Sequence, residues 1–389
     1  MSKKYSCPSS IYLFGSLVLQ SSSTKKKRNL SAMGWLLEGE APKATPRGGG
    51  PYSRLKEPMK LSGALDGVEY ADITSLMGRE YPKSSITEWM NAPNSDELIR
   101  DLAITVSQRG VVVFRAQDDV DNEMLKKIAL RLGELTGRPE ECGLHIHPVF
   151  NSAREGLEED NLINCVSSED RKKLYNSKKA QSHNNWHSDV GFEAVPGDYS
   201  AFIVPEVPET GGDTMFASGC ELYDRLSKPM QQFVESLTII NGSPSLEDAV
   251  QAENPNLYAK ERGCPQNSGL QFRHEQPFVR TNPVTGWKSI YALGQNTISI
   301  KDLASEESQM LLDWIIGILY KNHDTTVRIR YLNPNDLVLW DNRSTFHCVT
   351  WDYDHLGPRK GKRALGIGEK PYLDPNSKSR TEDLGQWRL

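Results

Sequence analysis

Asn184-Asn185-Trp186-His187-Ser188-Asp189-Val190-Gly191-Phe192 sets the reading of the whole chain. Its centre is His187-x-Asp189. On extended backbone, residues i and i+2 point to the same side, so one imidazole and one carboxylate converge on a single point. By itself this pair is a weak signal in a chain with 8 histidines. What lies downstream decides it. Leu337-Val338-Leu339-Trp340 reads as a buried strand, and the polar run Asp341-Asn342-Arg343-Ser344-Thr345 then leads to Phe346-His347. The separation of 347 − 187 = 160 residues suits ligands from different parts of a β-barrel, not a zinc-finger knuckle.

Two histidines and one carboxylate form a facial ligand set that leaves positions open, the preference of non-haem Fe(II) sites that admit substrate and oxygen. Beyond His347 comes Pro358-Arg359-Lys360-Gly361-Lys362-Arg363. Two guanidiniums four residues apart beside such a set suit carboxylates or other oxyanions, because arginine offers a planar two-pronged donor.

Further landmarks occur in order: Gly110-Val111-Val112-Val113-Phe114-Arg115, Leu144-His145-Ile146-His147-Pro148-Val149, Gly211-Gly212-Asp213-Thr214, Val279-Arg280-Thr281-Asn282-Pro283-Val284-Thr285-Gly286 and Gly368-Glu369-Lys370-Pro371. From about Leu98 to about Leu373 the chain resembles the taurine dioxygenase family of Fe(II)- and 2-oxoglutarate-dependent oxygenases, including the fungal sulfonate dioxygenases. The resemblance implies a mainly β fold with helical insertions (α+β), built on a distorted double-stranded β-helix, the cupin-like jelly roll. Spacing alone does not fix that topology. The resemblance also implies roles. His187, Asp189 and His347 would bind Fe(II) and form the catalytic centre. Arg359 and Thr214 would hold the distal carboxylate of 2-oxoglutarate, with O2 as co-reactant. Asp189 favours hydroxylation over halogenation, since the family's halogenases lack the carboxylate.

For the substrate, the resemblance implicates His147, Phe150, His183, Val190 and Arg363. Two of these depart from the taurine enzymes: Phe150 stands where they have Tyr, and His183 where they have Asn. A histidine that can carry positive charge receives an ammonium less well than a neutral amide does. The expectation is therefore a small anionic substrate, sulfonate-like, with sulfite released if the hydroxylated carbon bears the sulfonate, and taurine not the best of them. The same chemistry on a specialised metabolite or an aryloxy acid is the alternative. A non-catalytic metal-binding jelly roll, or one with structural zinc, is a further reading. Arg359 and Thr214 count against it, because a bare metal site needs no oxyanion clamp.

Composition agrees with an enzyme of this kind. In 389 residues, 37% apolar and 25% charged content are those of a soluble globular protein, and a net charge of −5 leaves no nucleic-acid footprint. The apolar run over 11–19 is too short and interrupted for a membrane span. Residues 1–59 read as a disordered tail and Pro/Gly-rich linker, with a signal peptide lacking a convincing Ala-x-Ala cleavage site or a transit peptide as alternatives, and 60–389 as a single domain. Cys7, Cys142, Cys165, Cys220, Cys264 and Cys348 show no Cys-x-x-Cys spacing and read as reduced thiols of a cytoplasmic protein. Cys348 is expected to point away from the metal. A homodimer acting on a small molecule is the expected assembly.

Periodicity predicts the elements. A helix capped by Ser95 carries Leu98, Ile99, Leu102 and Val106 and stops at Gly110; the β-branched run over 111–113 is then a buried strand. A second helix starts near Asn122. Strands are expected over 199–204, 326–331 and 337–340. Ser218-x-x-Glu221 reads as a capping box. Pro229 opens a helix that buries Met230, Phe233, Val234 and Leu237, and the helix over 305–320 buries Leu311, Trp314, Ile315 and Ile318. Of His145 and His147, one is expected to face inward and the other outward. Residues 151–182 form a polar excursion.

Overall fold

A computed structural model describes residues 57–149, 160–168, 185–254, 257–291, 293–353 and 355–385. Residues 1–56, Phe150, His183 and most of the segment 151–182 lie outside them.

Fifteen strands occur among the described residues: β1 (Ala71–Asp72), β2 (Arg79–Tyr81), β3 (Val111–Phe114), β4 (Asn164–Ser167), β5 (Gly197–Glu206), β6 (Thr214–Ser218), β7 (Thr238–Gly242), β8 (Arg273–Pro277), β9 (Val279–Thr281), β10 (Lys288–Ile290), β11 (Thr297–Ile300), β12 (Thr326–Ile329), β13 (Asp336–Asp341), β14 (Thr345–Val349) and β15 (Lys360–Ile367). The helices are α1 (Ile86–Asn91), α2 (Ser95–Arg109), α3 (Asn122–Glu134), α4 (Gly219–Asp224), α5 (Lys228–Glu235), α6 (Pro244–Gln251), α7 (Ser305–Lys321) and α8 (Arg380–Leu384).

A seven-stranded sheet runs β1-β2-β3-β13-β5-β15-β4, antiparallel except for β2 beside β3. A three-stranded sheet runs β12-β6-β14. Smaller sheets are β11-β7-β8 and β10-β9.

Strand period explains how the two main sheets pack. In β3, Val111 and Val113 share a buried cluster with Phe202, Val338 and Trp340 of their own sheet and with Phe216, Val327 and Ile329 of the three-stranded sheet. Val112 and Phe114 point the other way. They join Ala201, Ile203, Leu337 and Leu339 against Leu98, Leu102 and Val106 of α2 and Leu125, Ile128 and Leu132 of α3. The sheet is thus sandwiched between helices and a second sheet. That is why β3 and the centre of β13 read as continuous apolar runs and not as alternations. Burying each such Val or Phe is worth roughly 1.5–3 kcal/mol.

Several expectations need correction. The cap of α2 is Asn94, one residue ahead of Ser95, while Gly110 ends the helix at φ +75, where a side chain would be strained. Phe233 and Trp314 are 43% and 45% exposed. On α7 the buried stripe is Leu311, Ile315 and Leu319, spaced by four, and Trp314 stands about 100° away from it. On α5 the side chains turned inward are Val234 and the polar Gln231, whose Nε2 donates to Tyr223 O. Cys142 and Cys264, expected as free thiols, form a disulfide across a sequence separation of 122 residues. Cys220 and Cys348 are free, and Cys165 makes no disulfide. His145 and His147 lie on no strand; only Leu144 makes an isolated bridge, to Gly366. No helix among the described residues is long and apolar enough to cross a membrane.

Candidate active site

The backbone brings the two distant histidines together. His347 sits on β14, paired with Phe216 of β6. His187 forms an isolated antiparallel bridge to it: His187 N–H donates to His347 O at 3.0 Å, and His347 N–H to His187 O at 2.9 Å. Asp189 follows two residues on. Its Oδ1 lies 3.9 Å from His187 Nε2 and 3.6 Å from His347 Nε2. The three candidate ligand atoms lie within 4.8 Å of one another. Strand alternation turns Cys348 with Phe346 toward the helical cluster of α7, while His347 faces Trp340 and Phe216.

The protonation pattern fits a metal. His187 Nδ1 lies 2.9 Å from Asn185 O, and a carbonyl only accepts, so Nδ1 carries the proton and Nε2 keeps its lone pair for the cluster. Burial alone would raise the Asp189 carboxyl. Arg363, His347, His187 and the Ser200 hydroxyl outweigh it, and the group is held well below the ordinary carboxylate range.

A frame of hydrogen bonds aims that carboxylate. Ser200 Oγ donates to Asp189 Oδ2 at 2.8 Å. Asn342 Nδ2 donates to Ser200 Oγ at 2.9 Å, while Asn342 Oδ1 accepts from Asp189 N–H at 3.2 Å and Trp340 Nε1 at 2.9 Å. Sequence reading placed Asn342 in the motif before His347 but gave it no task, and it missed Ser200, whose only signal is its place on a buried strand. Ser200→Ala is expected to weaken metal binding roughly 10- to 100-fold, as loss of a ligand's outer partner does elsewhere. Titration with Mn(II) checks it.

Other residues singled out from the sequence fall as follows. Val190 is buried, packed with Phe192, Val195 and Leu365, and holds φ +48. A β-branched residue there is strained by about 1–3 kcal/mol, so the turn leaving Asp189 is imposed by its surroundings. Arg363 pairs with Asp189, and its Nη2 donates to Asn164 Oδ1 at 3.1 Å. His147 and His145 both turn inward, with ring centroids 6.0 Å apart. His147 Nδ1 accepts the Val149 N–H at 3.1 Å, which puts the ring proton on Nε2. Burial, with His145 and Arg363 adding to it, pushes its pKa well below the ordinary value. It is a neutral N–H donor.

Arg359 is buried 12 residues past His347 in sequence. Its Nε donates to Gly212 O at 2.7 Å and its Nη2 reaches Thr214 Oγ1 at 3.5 Å. Gly212 holds φ +68, and a Cβ there would meet Arg359 Cδ at 3.0 Å, so glycine lets this carbonyl approach the guanidinium. The structure thus brings together His187, Asp189, His347, Arg363 and His147 at one place, and Arg359 with Thr214 at another.

Behind His147 lies a buried charge cluster that sequence reading missed. Arg262 donates to both Glu193 oxygens, at 2.6 and 2.8 Å, and His145 Nε2 meets Glu193 Oε1 at 2.9 Å. Burial raises the Glu193 carboxyl, but Arg262 and His145 outweigh that and hold it below its ordinary value of 4.5. Burial, against the pull of Glu193, lowers His145 below 6.5. As pH falls through 6.5 the unfolded chain takes up a proton that folded His145 refuses; below 4.5 the same holds for Glu193. Both effects remove stability as pH drops. The melting temperature is expected to fall in two stages between neutral pH and pH about 4, and Glu193→Gln is expected to flatten the lower stage.

Comparisons with known proteins follow this geometry. The family model described as Taurine catabolism dioxygenase TauD, TfdA family matches residues 69–365. The alpha-ketoglutarate-dependent dioxygenase oryG of Aspergillus oryzae is 45% identical over 332 residues, covering 84% of this chain and 96% of that one. The alpha-ketoglutarate-dependent dioxygenase btcD of Neocamarosporium betae is 42% identical, covering 84% and 98%. The alpha-ketoglutarate-dependent sulfonate dioxygenase of Saccharomyces cerevisiae is 30% identical, covering 78% and 67%. Among solved structures, AAD-2 in complex with Mn(II) and N-oxalylglycine superposes with a TM-score of 0.59 at 23% identity, covering 79% of this chain and 99% of that one. A taurine dioxygenase from Burkholderia xenovorans gives 0.58 at 20%, covering 79% and 92%. At these identities the likeness speaks to the fold alone.

Proposed function

The chain belongs to the Taurine catabolism dioxygenase TauD, TfdA family, and on that premise we propose that it hydroxylates a C–H bond of a small anionic molecule, using Fe(II), 2-oxoglutarate and O2. The observation that carries the proposal is the convergence of His187 Nε2, His347 Nε2 and the Asp189 carboxylate, with Arg359 and Thr214 forming an oxyanion site on the same side of β6 and β14.

His187, Asp189 and His347 would hold the iron, the carboxylate offsetting one unit of its charge. When bound, iron supplies the oxidative decarboxylation of 2-oxoglutarate to succinate and carbon dioxide and the hydroxylation coupled to it. The chain's own part is position and electrostatics. Ser200 and Asn342 fix the carboxylate rotamer, and the Asn185 carbonyl fixes the His187 tautomer. Arg359 and Thr214 take the distal carboxylate of the cosubstrate. Arg363, whose Nε is buried without a hydrogen-bond partner, and the neutral His147 donor suit an oxyanion on the substrate. Val190 belongs to the same proposed wall, and Phe150 and His183, which lie outside the described residues, are proposed as substrate residues from the resemblance alone.

A sulfonate is the form of anion proposed first, with sulfite as the released product. The second reading, a specialised metabolite or aryloxy acid, is favoured by one observation. The relatives at 42–45% identity are named only as alpha-ketoglutarate-dependent dioxygenases, and relatives named for sulfonates stand at 30% and 33%. The facing seven- and three-stranded sheets are proposed as the jelly-roll core of one domain over 60–389. A homodimer in the cytoplasm completes the reading, with light scattering as the check on assembly. The testing experiment is a screen of small anions with Fe(II), ascorbate and 2-oxoglutarate, read by succinate and by sulfite. Amine-free sulfonates are expected to outdo taurine in kcat/KM. Taurine preferred over every amine-free analogue would overturn the pocket reading.

A further inference from the structure

Sequence periodicity extends a strand to Tyr331, but β12 ends at Ile329. Two residues further on, Tyr331 stays on the face of Val327 and Ile329 and buries its side chain beside Arg359. Its hydroxyl lies 2.7 Å from Thr214 Oγ1. Its ring centroid is 5.2 Å from the Arg359 Cζ, with Phe202 on the same guanidinium at 5.5 Å. We propose that Tyr331 completes the cosubstrate site: its ring holds the Arg359 guanidinium, and its hydroxyl, paired with Thr214, leaves one O–H for the distal carboxylate of 2-oxoglutarate. This rests on the function proposed above and adds a residue to it.

Proton counting supports the role. Two hydroxyls joined by one hydrogen bond hold two protons; one lies in the shared bond and the other remains for a ligand. Thr214 Oγ1 already accepts from Arg359 Nη2. With Tyr331 donating to it as well, the Thr214 proton has no direction left but outward. With Thr214 donating instead, the Tyr331 proton is the one left for a ligand. Either way the pair acts as a unit. Arg359 spends one N–H on Gly212 O, which fixes the plane of its fork, and the neighbouring rings of Tyr331 and Phe202, with centroids 6.2 Å apart, both lie within cation–π reach of it. Burial raises the Tyr331 phenol above its ordinary range, against the pull of Arg359, so it stays protonated at neutral pH.

The test separates ring from hydroxyl. Binding of 2-oxoglutarate to the Mn(II)-loaded full chain is measured by calorimetry, alongside 2-oxopentanoate, which has the same carbon chain without the distal carboxylate. Tyr331→Phe is expected to raise the Kd for 2-oxoglutarate about tenfold, the loss of one hydrogen bond to a charged group. Its affinities for Mn(II) and 2-oxopentanoate are expected to stay at wild-type values. Tyr331→Leu, which also removes the ring, should weaken 2-oxoglutarate further. Tyr331→Phe with Thr214→Val should cost less than the sum of the two single losses. An unchanged Kd for 2-oxoglutarate in Tyr331→Phe overturns the inference, and so does an equal loss toward both oxoacids. Failure of the wild-type protein to bind 2-oxoglutarate at all would instead overturn the proposed function beneath it.

Discussion

Asp189→Ala loses hydroxylation to background while the protein still folds. Asp189 is the point on which both imidazole Nε2 atoms converge, and among the described residues its charge is the one anion in the cluster a divalent metal would meet. Deleting an outer partner of a metal ligand already costs roughly 10- to 100-fold in affinity, and deleting the ligand itself should exceed that. Folding should survive, because the bridge between His187 and His347 is made by backbone N–H and C=O groups that the substitution leaves in place. The substitution does remove the partner of Arg363, whose side chain keeps 13% exposure. Some loss of stability is therefore expected, and Asp189→Asn, which keeps an acceptor for Ser200, should lose less. Circular dichroism and Mn(II) titration together separate folding from binding. Stoichiometric metal with full activity in Asp189→Ala would sink the assignment.

Arg359→Ala carries the second largest effect. The Arg359 side chain is buried, and a carboxylate bound beside it would be removed from water. Truncating one partner of such a pair costs roughly 2–5 kcal/mol, or roughly 30- to 5,000-fold in affinity. The Kd for 2-oxoglutarate should rise by that factor with Mn(II) binding unchanged. Arg359→Lys should rescue little, since a single ammonium cannot both bond Gly212 O and present a fork. An unaltered Kd in Arg359→Ala would move the role to another cation.

The parts of this protein that were readable in advance are those where one local rule dominates. The β3 run and the centre of β13 are buried on both faces, so unbroken apolar stretches announced them. The cluster of His187, Asp189 and His347 was readable because His187-x-Asp189 and His347 are carried by motifs whose order, not whose spacing, is informative. What escaped depends on contacts between segments remote in sequence. Glu193 and Arg262 are 69 residues apart and become one cluster only when the chain between them folds back. Cys142 and Cys264 meet in the same way. Tyr331 looked like the last residue of a strand; its contact with Thr214 exists only because β12 pairs with β6, which is remote in sequence. Trp314 and Phe233 misled for a different reason. A large apolar side chain about 100° from a helix's buried stripe can sit at the rim, and helical spacing alone does not say where the rim is.

The measurement that bears most directly on the central claim is an oxygen-free Fe(II) titration of the full chain, followed by addition of 2-oxoglutarate and oxygen with succinate as the readout. One Fe(II) bound per chain is expected. Succinate should form in the wild-type protein and fall to background in His187→Ala, Asp189→Ala and His347→Ala. Tight zinc in place of iron, with no succinate from the Fe(II)-treated protein, would contradict the account.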